Sequence, residues 1–180
     1  MKKVFIVHGF EGSPNGGWRP WLMRELEKQG IYACALPMPN PDAPIKDEWV
    51  AEIARVISND AENYLIGHSL GVPAILHYLQ TTNLSITGAV LVSGPFDSTR
   101  DEIKSFYGAP FDFEKIKSSC RIFKIIHGDN DPNVPFEHAE RFSKILNAEL
   151  ISVTNGKHLN GSAGCFELPE ALSALNDMMK

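Results

Sequence analysis

The chain has 180 residues, 43% of them hydrophobic and 22% charged, with a formal net charge of −5. That length fits one domain, residues 1–180, and the apolar share can bury a core that offsets chain entropy, which excludes a mainly disordered chain. The 14 glycines and 12 prolines are scattered without a period, which excludes collagen-like and low-complexity classes, and the acidic excess argues against nucleic acid as a partner.

Short apolar runs alternate along the chain with stretches of helical period. Met1-Lys2-Lys3 leads into Val4-Phe5-Ile6-Val7. Such a run is far shorter than the roughly 7–15 residues of a signal-peptide core, so a buried first strand over Lys3–Val7 is expected. Gly17–Gln29 places Trp18, Trp21, Leu22 and Leu26 on one helical face, with Gly30 as a stop. A second strand is expected over Ile31–Leu36, then a helix over Asp47–Ser58 with Val50, Ile53, Ala54 and Ile57 at helical spacing. Asn63–Gly67 reads as a strand, Leu70–Gln80 as a helix and Thr87–Val92 as a strand. Strands over Arg121–His127 and Glu149–Val153 flank a helix over Phe136–Leu146, and Pro169–Met179 closes the chain as a helix with proline in its first turn.

Several of these strands are continuously apolar rather than alternating, as in Ala89-Val90-Leu91-Val92. That pattern belongs to strands covered on both faces. The chain therefore predicts an α/β fold, a three-layer α/β/α sandwich around a six-stranded, mainly parallel sheet. No apolar stretch approaches the ~20 residues of a membrane span, so no membrane is expected as a partner. Cys34, Cys120 and Cys165 are an odd number without CxxC spacing and read as buried thiols, which points to the cytoplasm. One connection is long: Ser93–Ser119 carries Phe96, Phe106, Phe111 and several prolines. It reads equally as a lid or binding loop and as a surface loop whose aromatics plug the core.

The chemistry concentrates in Gly67-His68-Ser69-Leu70-Gly71, between a predicted strand and a predicted helix. A serine on so sharp a turn needs small residues two before and two after it, and the turn presents Oγ above the sheet. A serine alcohol needs a base, and in this arrangement acid and base follow the serine along the chain. Of six histidines, only His158 lies in a loop after the last predicted strand. Asp131 is the chosen acid, with Asp129 on the same turn and Asp97 after the preceding strand as competitors. The backbone N–H groups of Phe10 and Leu70 are the expected oxyanion donors. His8 reads as a residue that holds the Gly9–Gly12 loop. There is no H-E-x-x-H, no zinc spacing, no Walker sequence and no G-x-G-x-x-G after the first strand, so neither metal nor other cofactor is expected.

Together these residues resemble the α/β-hydrolase superfamily, and more narrowly the small serine hydrolase family of bacterial YdeN and vertebrate retinoblastoma-binding protein 9. His8-Gly9-Phe10, Trp18-Arg19-Pro20-Trp21-Leu22, the Gly67–Gly71 elbow, Asp131-Pro132-Asn133-Val134-Pro135 and Gly156-Lys157-His158 carry the likeness across nearly the whole chain. The resemblance implies Ser69, Asp131 and His158 as nucleophile, acid and base. It favours Asp131 over Asp129, because the acid in such proteins immediately precedes the stretch ending in Val-Pro. Lys157 departs from the pattern, since relatives often have a second glycine there. The implied activity is hydrolysis of small-molecule esters or thioesters. The rival is a binding protein that keeps the fold without turnover. Trp18, Phe96, Phe106 and Phe111 are expected to line the acyl site. Common α/β hydrolases have leading strands before the H-G loop and often a cap. With His8 so early and Ser93–Ser119 so short, a trimmed hydrolase with no full cap domain and an open site is expected.

Overall fold

A computed structural model describes residues 1–180. The strands are β1 (Lys2–Val7), β2 (Tyr32–Ala35), β3 (Glu62–His68), β4 (Gly88–Val92), β5 (Phe123–Gly128) and β6 (Glu149–Val153). The helices are α1 (Arg19–Lys28), α2 (Lys46–Val56), α3 (Gly71–Thr81), α4 (Phe113–Ser119), α5 (Phe136–Leu146) and α6 (Pro169–Met178). The sheet order is β2-β1-β3-β4-β5-β6, and every pairing is parallel, not merely most of them. No helix is long and apolar enough to cross a membrane.

The continuous apolar strands have a simple cause. Phe5, Val7, Leu65 and Leu91 point to one face and pack with Trp49 and Ile53 of α2, the apolar side of α3 and Phe142 of α5. Val4, Ile6, Ile66 and Val90 point to the other, against Leu22 and Leu26 of α1 and Leu175 of α6. Each strand alternates in direction, but both directions lead into a core. Of the cysteines only Cys120 is buried; Cys34 and Cys165 are half-buried, and all three are free thiols. Burial pushes the Cys120 thiol up to about 12.

The Ser93–Ser119 connection is not a loop throughout. It holds a 3-10 turn over Asp101–Phe106 and the short helix α4, whose N-terminus is capped by the Asp112 side chain. Its aromatics plug the core. Phe106 is fully buried, edge-on to Trp49 with ring centroids 5.6 Å apart. His77 Nε2–H donates to the Phe106 carbonyl at 2.7 Å, while its Nδ1 accepts from the Gln80 amide at 3.1 Å. Phe96 packs on Phe142 and Phe113, and Phe111 on His77. This segment is too short to form a second domain over the sheet.

Trp18 is also fully buried. Its indole N–H donates to the Leu159 carbonyl at 2.9 Å, and its ring meets His68 edge-on at 6.2 Å. It therefore ties the start of α1 to the chain after β6. Replacing Trp18 with Ala empties a large core volume and orphans that carbonyl, so urea unfolding should show a loss of about 3–5 kcal/mol.

Candidate active site

The parallel sheet brings the C-terminal ends of its strands to one edge, where α/β folds place their ligands. β3 ends at His68 and α3 begins at Gly71, leaving Ser69 on the turn with φ of +53°. That left-handed conformation is costly for a side chain and is held here by the surroundings. The Ser69 N–H donates to the Val92 carbonyl of β4 at 2.9 Å. A Cβ on Gly71 would collide with the Val7 carbonyl, and one on Gly67 would lie 2.7 Å from the Gly71 carbonyl carbon. The elbow glycines thus let α3 start against the end of β1.

His158 and Asp131 meet Ser69 from two other strand ends. His158 Nε2 lies 3.1 Å from Ser69 Oγ, and its Nδ1–H donates to Asp131 Oδ2 at 2.8 Å. This geometry fixes one tautomer, with Nε2 left to accept the serine proton. Asp131 Oδ1 accepts the N–H groups of Asn133 at 2.8 Å and Val134 at 3.0 Å. The Asp131 side chain is wholly buried. Burial opposes its charge and is the largest influence. The hydrogen bond and charge of His158, with the two backbone N–H groups, together outweigh it and hold the carboxyl below its ordinary value.

The competing acids have other partners. Asp129 accepts the Asn155 N–H at 2.8 Å, so it braces the loop that carries His158. Asp97 sits at the surface, paired with Arg141 at 2.9 Å. Asn130, between the two acids, accepts the Lys157 N–H at 2.8 Å. Lys157 has φ of +51°, which explains why a glycine would suit that position. Gly128 completes the arrangement, because a Cβ there would strike the Lys157 carbonyl.

Two further histidines brace the site through backbone partners. His68 Nε2–H donates to the His158 carbonyl at 2.8 Å, and burial pushes its pKa down to about 3, so it stays neutral. His8 Nδ1–H donates to the Gly9 carbonyl at 2.8 Å, and its Nε2 accepts from Met38 N–H at 3.3 Å. His68 could have been suspected from its place inside the elbow, but nothing in its sequence neighbourhood indicates the bond to His158.

A cavity of about 510 Å³ opens over Ser69 and His158. Phe10 and Leu70 line it, and neither backbone N–H donates to another protein group. The aromatics expected in the acyl pocket do not line this cavity. Trp18, Phe96, Phe106 and Phe111 are absent from the wall, because each is spent on the core or on packing the Ser93–Ser119 segment. Only 4 of the 23 lining residues are hydrophobic, so the cavity is polar. Arg19, the neighbour of Trp18, is in the wall instead.

A parallel sheet with covered faces and a serine on a strained strand–helix elbow defines the α/β-hydrolase fold. The chain belongs to the serine hydrolase family, whose description matches residues 4–177. It is 35% identical over 173 residues to YdeN of Bacillus subtilis strain 168, covering 93% of this chain and 91% of that one. It is 26% identical to the serine hydrolase RBBP9 of Rattus norvegicus, covering 98% and 95% of the two chains. The crystal structure of the Bacillus subtilis ydeN product superposes with a TM-score of 0.92 at 31% identity, over 99% of both chains. Est1E of Butyrivibrio proteoclasticus shares the fold at a TM-score of 0.76 and 17% identity, over 99% of this chain and 86% of that one.

The lowered Asp131 carboxyl gives a pH signature. The folded state holds the ionised form more firmly than the unfolded chain, whose ordinary value is 3.8. Its stabilising contribution is full above that value and is lost as pH falls through the lower folded-state value. The stability gap between the native chain and Asp131→Asn, measured by urea unfolding, should be widest near neutrality and narrow below about pH 4. An equal gap at both ends would contradict this assignment.

Proposed function

We propose that this chain is a carboxylesterase-like serine hydrolase that cleaves small ester or thioester substrates through an acyl-enzyme. The observation that carries this reading is the unbroken hydrogen-bonded line Ser69–His158–Asp131 at the floor of an open cavity. Ser69 Oγ attacks the substrate carbonyl while His158 Nε2 takes its proton. The oxyanion is received by the free N–H groups of Phe10 and Leu70, each worth about 2.7–4 kcal/mol in such sites. The carbonyl–oxygen or carbonyl–sulfur bond then breaks, and His158 returns the proton to the leaving group. Water, deprotonated by His158, releases the acid and regenerates Ser69. Asp131 holds the imidazole orientation and stabilises the imidazolium throughout.

This acyl-transfer chemistry needs no metal or other cofactor. The short Ser93–Ser119 segment and the openness of the wall favour small acyl groups over long chains. Three free cysteines support a reducing compartment, and the cytoplasm is the proposed location.

The test is a panel of p-nitrophenyl esters and acyl thioesters together with fluorophosphonate labelling. The native chain should turn over short acyl esters and label at Ser69. Ser69→Ala should lose labelling and at least about 10³-fold of kcat. A folded native chain that neither labels nor hydrolyses any ester is a binding protein on this fold, and the enzyme reading fails.

A further inference from the structure

Arg19 is the first residue of α1 and only 6% exposed, yet it has no acidic partner. Of its five N–H donors, only Nε is used within the protein, donating to the Ser13 carbonyl at 2.9 Å. No carboxylate lies within ion-pair distance, whereas the exposed Arg55 and Arg141 each have one. Burial lowers the guanidinium pKa to about 10, which still leaves it charged at neutral pH. A buried charge without a counter-ion is costly. Its position adds to the cost, because the N-terminal end of a helix disfavours a cation.

The surroundings keep the guanidinium free rather than neutralising it. His8 and His68 are held neutral by burial and offer no negative charge. The two acids in the cavity wall are otherwise placed: Glu11 is exposed, and Asp97 is paired with Arg141. Arg100, the other arginine of the wall, lies over the Phe10 ring and 3.7 Å from Glu102. A Cβ on Gly16 would lie 2.5 Å from Arg19 Nη2, so only a glycine fits beside that end of the fork. The Trp18 ring, 5.9 Å from Cζ, supports the guanidinium but supplies no acceptor.

We propose that Arg19 receives a carboxylate of the substrate, so that the ester or thioester cleaved here is an anionic one. The inference rests on the hydrolase reading, since Arg19 shares its cavity with Ser69 and His158. The planar fork pairs with a carboxylate through two parallel hydrogen bonds. One buried cation balances the single charge of a carboxylate, but not the −1.5 to −2 (roughly) of a phosphate monoester. Hydrolysis of a half-ester of a dicarboxylic acid consumes one water and yields the free diacid and the alcohol. If the carboxylate sits on the alcohol side, the products are the simple acid and a hydroxy acid.

Two pairs of esters separate these cases. Mono-p-nitrophenyl succinate against p-nitrophenyl butyrate places the charge on the acyl side. 4-Acetoxybenzoate against its methyl ester places it on the leaving group. In at least one pair the anionic ester should have the higher kcat/KM, by about 10–100-fold, the range of a charged hydrogen-bond pair. Arg19→Met should collapse that ratio toward one, and Arg19→Lys should keep part of it. Binding of monomethyl succinate to Ser69→Ala, followed by calorimetry, should weaken at least tenfold when Arg19→Met is added. If Arg19→Met fails to fold, as judged by circular dichroism, the native ratio and Arg19→Lys decide. Ester turnover with no preference for either anionic member, or a ratio unmoved by Arg19→Lys and Arg19→Met, overturns the inference and leaves the hydrolase reading intact. Binding of monomethyl succinate with no turnover of any ester overturns the hydrolase reading and leaves the anion site.

Discussion

The position of His158 depends on one set of contacts. The loop that carries it has no regular structure of its own and three non-glycine residues at positive φ, Asn155, Lys157 and Leu159. Three consecutive side chains after β5 hold it. Asp129 takes the Asn155 N–H, Asn130 takes the Lys157 N–H, and Asp131 takes His158 Nδ1–H. His68 grips the same loop from below through the His158 carbonyl. The imidazole is therefore fixed from its backbone as well as from its ring, which is the preorganisation that proton transfer to a positioned base requires.

Much of this was legible in the residues. Continuous apolar strands fix a sheet covered on both faces, and the elbow glycines fix where the serine stands. The loop after the last strand singled out His158, because a terminal base has few other places to be. The choice between Asp131 and Asp129 was not decidable from spacing, since both acids lie on one turn and both serve the same loop. The resemblance favours Asp131, and in the structure its carboxylate, not that of Asp129, meets the His158 ring. The aromatics misled for a different reason. Phe106 and Trp18 are large apolar groups near functional segments, and such groups line pockets and fill cores alike. Here a core between sheet and helices needed their volume, so the cavity was left to glycines, serines and charged residues. Arg19 had a weak signal: a cation at a helix start, set between two tryptophans, is poorly placed for either solvent or the helix dipole.

The histidines show how one residue type is divided by environment. His8, His68 and His77 each accept or donate through fixed backbone or amide partners and are pulled by burial toward the neutral form. They act as rigid hydrogen-bonding wedges between segments. His158 alone joins an alcohol on one nitrogen to a carboxylate on the other. The same imidazole thus braces neighbouring segments at these positions and, at His158, bridges an alcohol and a carboxylate.

The all-parallel sheet has a consequence for how this chain reaches its working state. Parallel strands pair only after long crossovers close, which makes assembly slow. Ser69 and His158 are 89 residues apart, and β6, which leads into the His158 loop, is an edge strand with β5 as its one neighbour. An intermediate in which β6 has not docked would display the serine on its finished elbow with no imidazole beside it. On the proposed mechanism, reactivity of Ser69 toward an acylating probe during refolding reports the docking of the sheet edge separately from collapse.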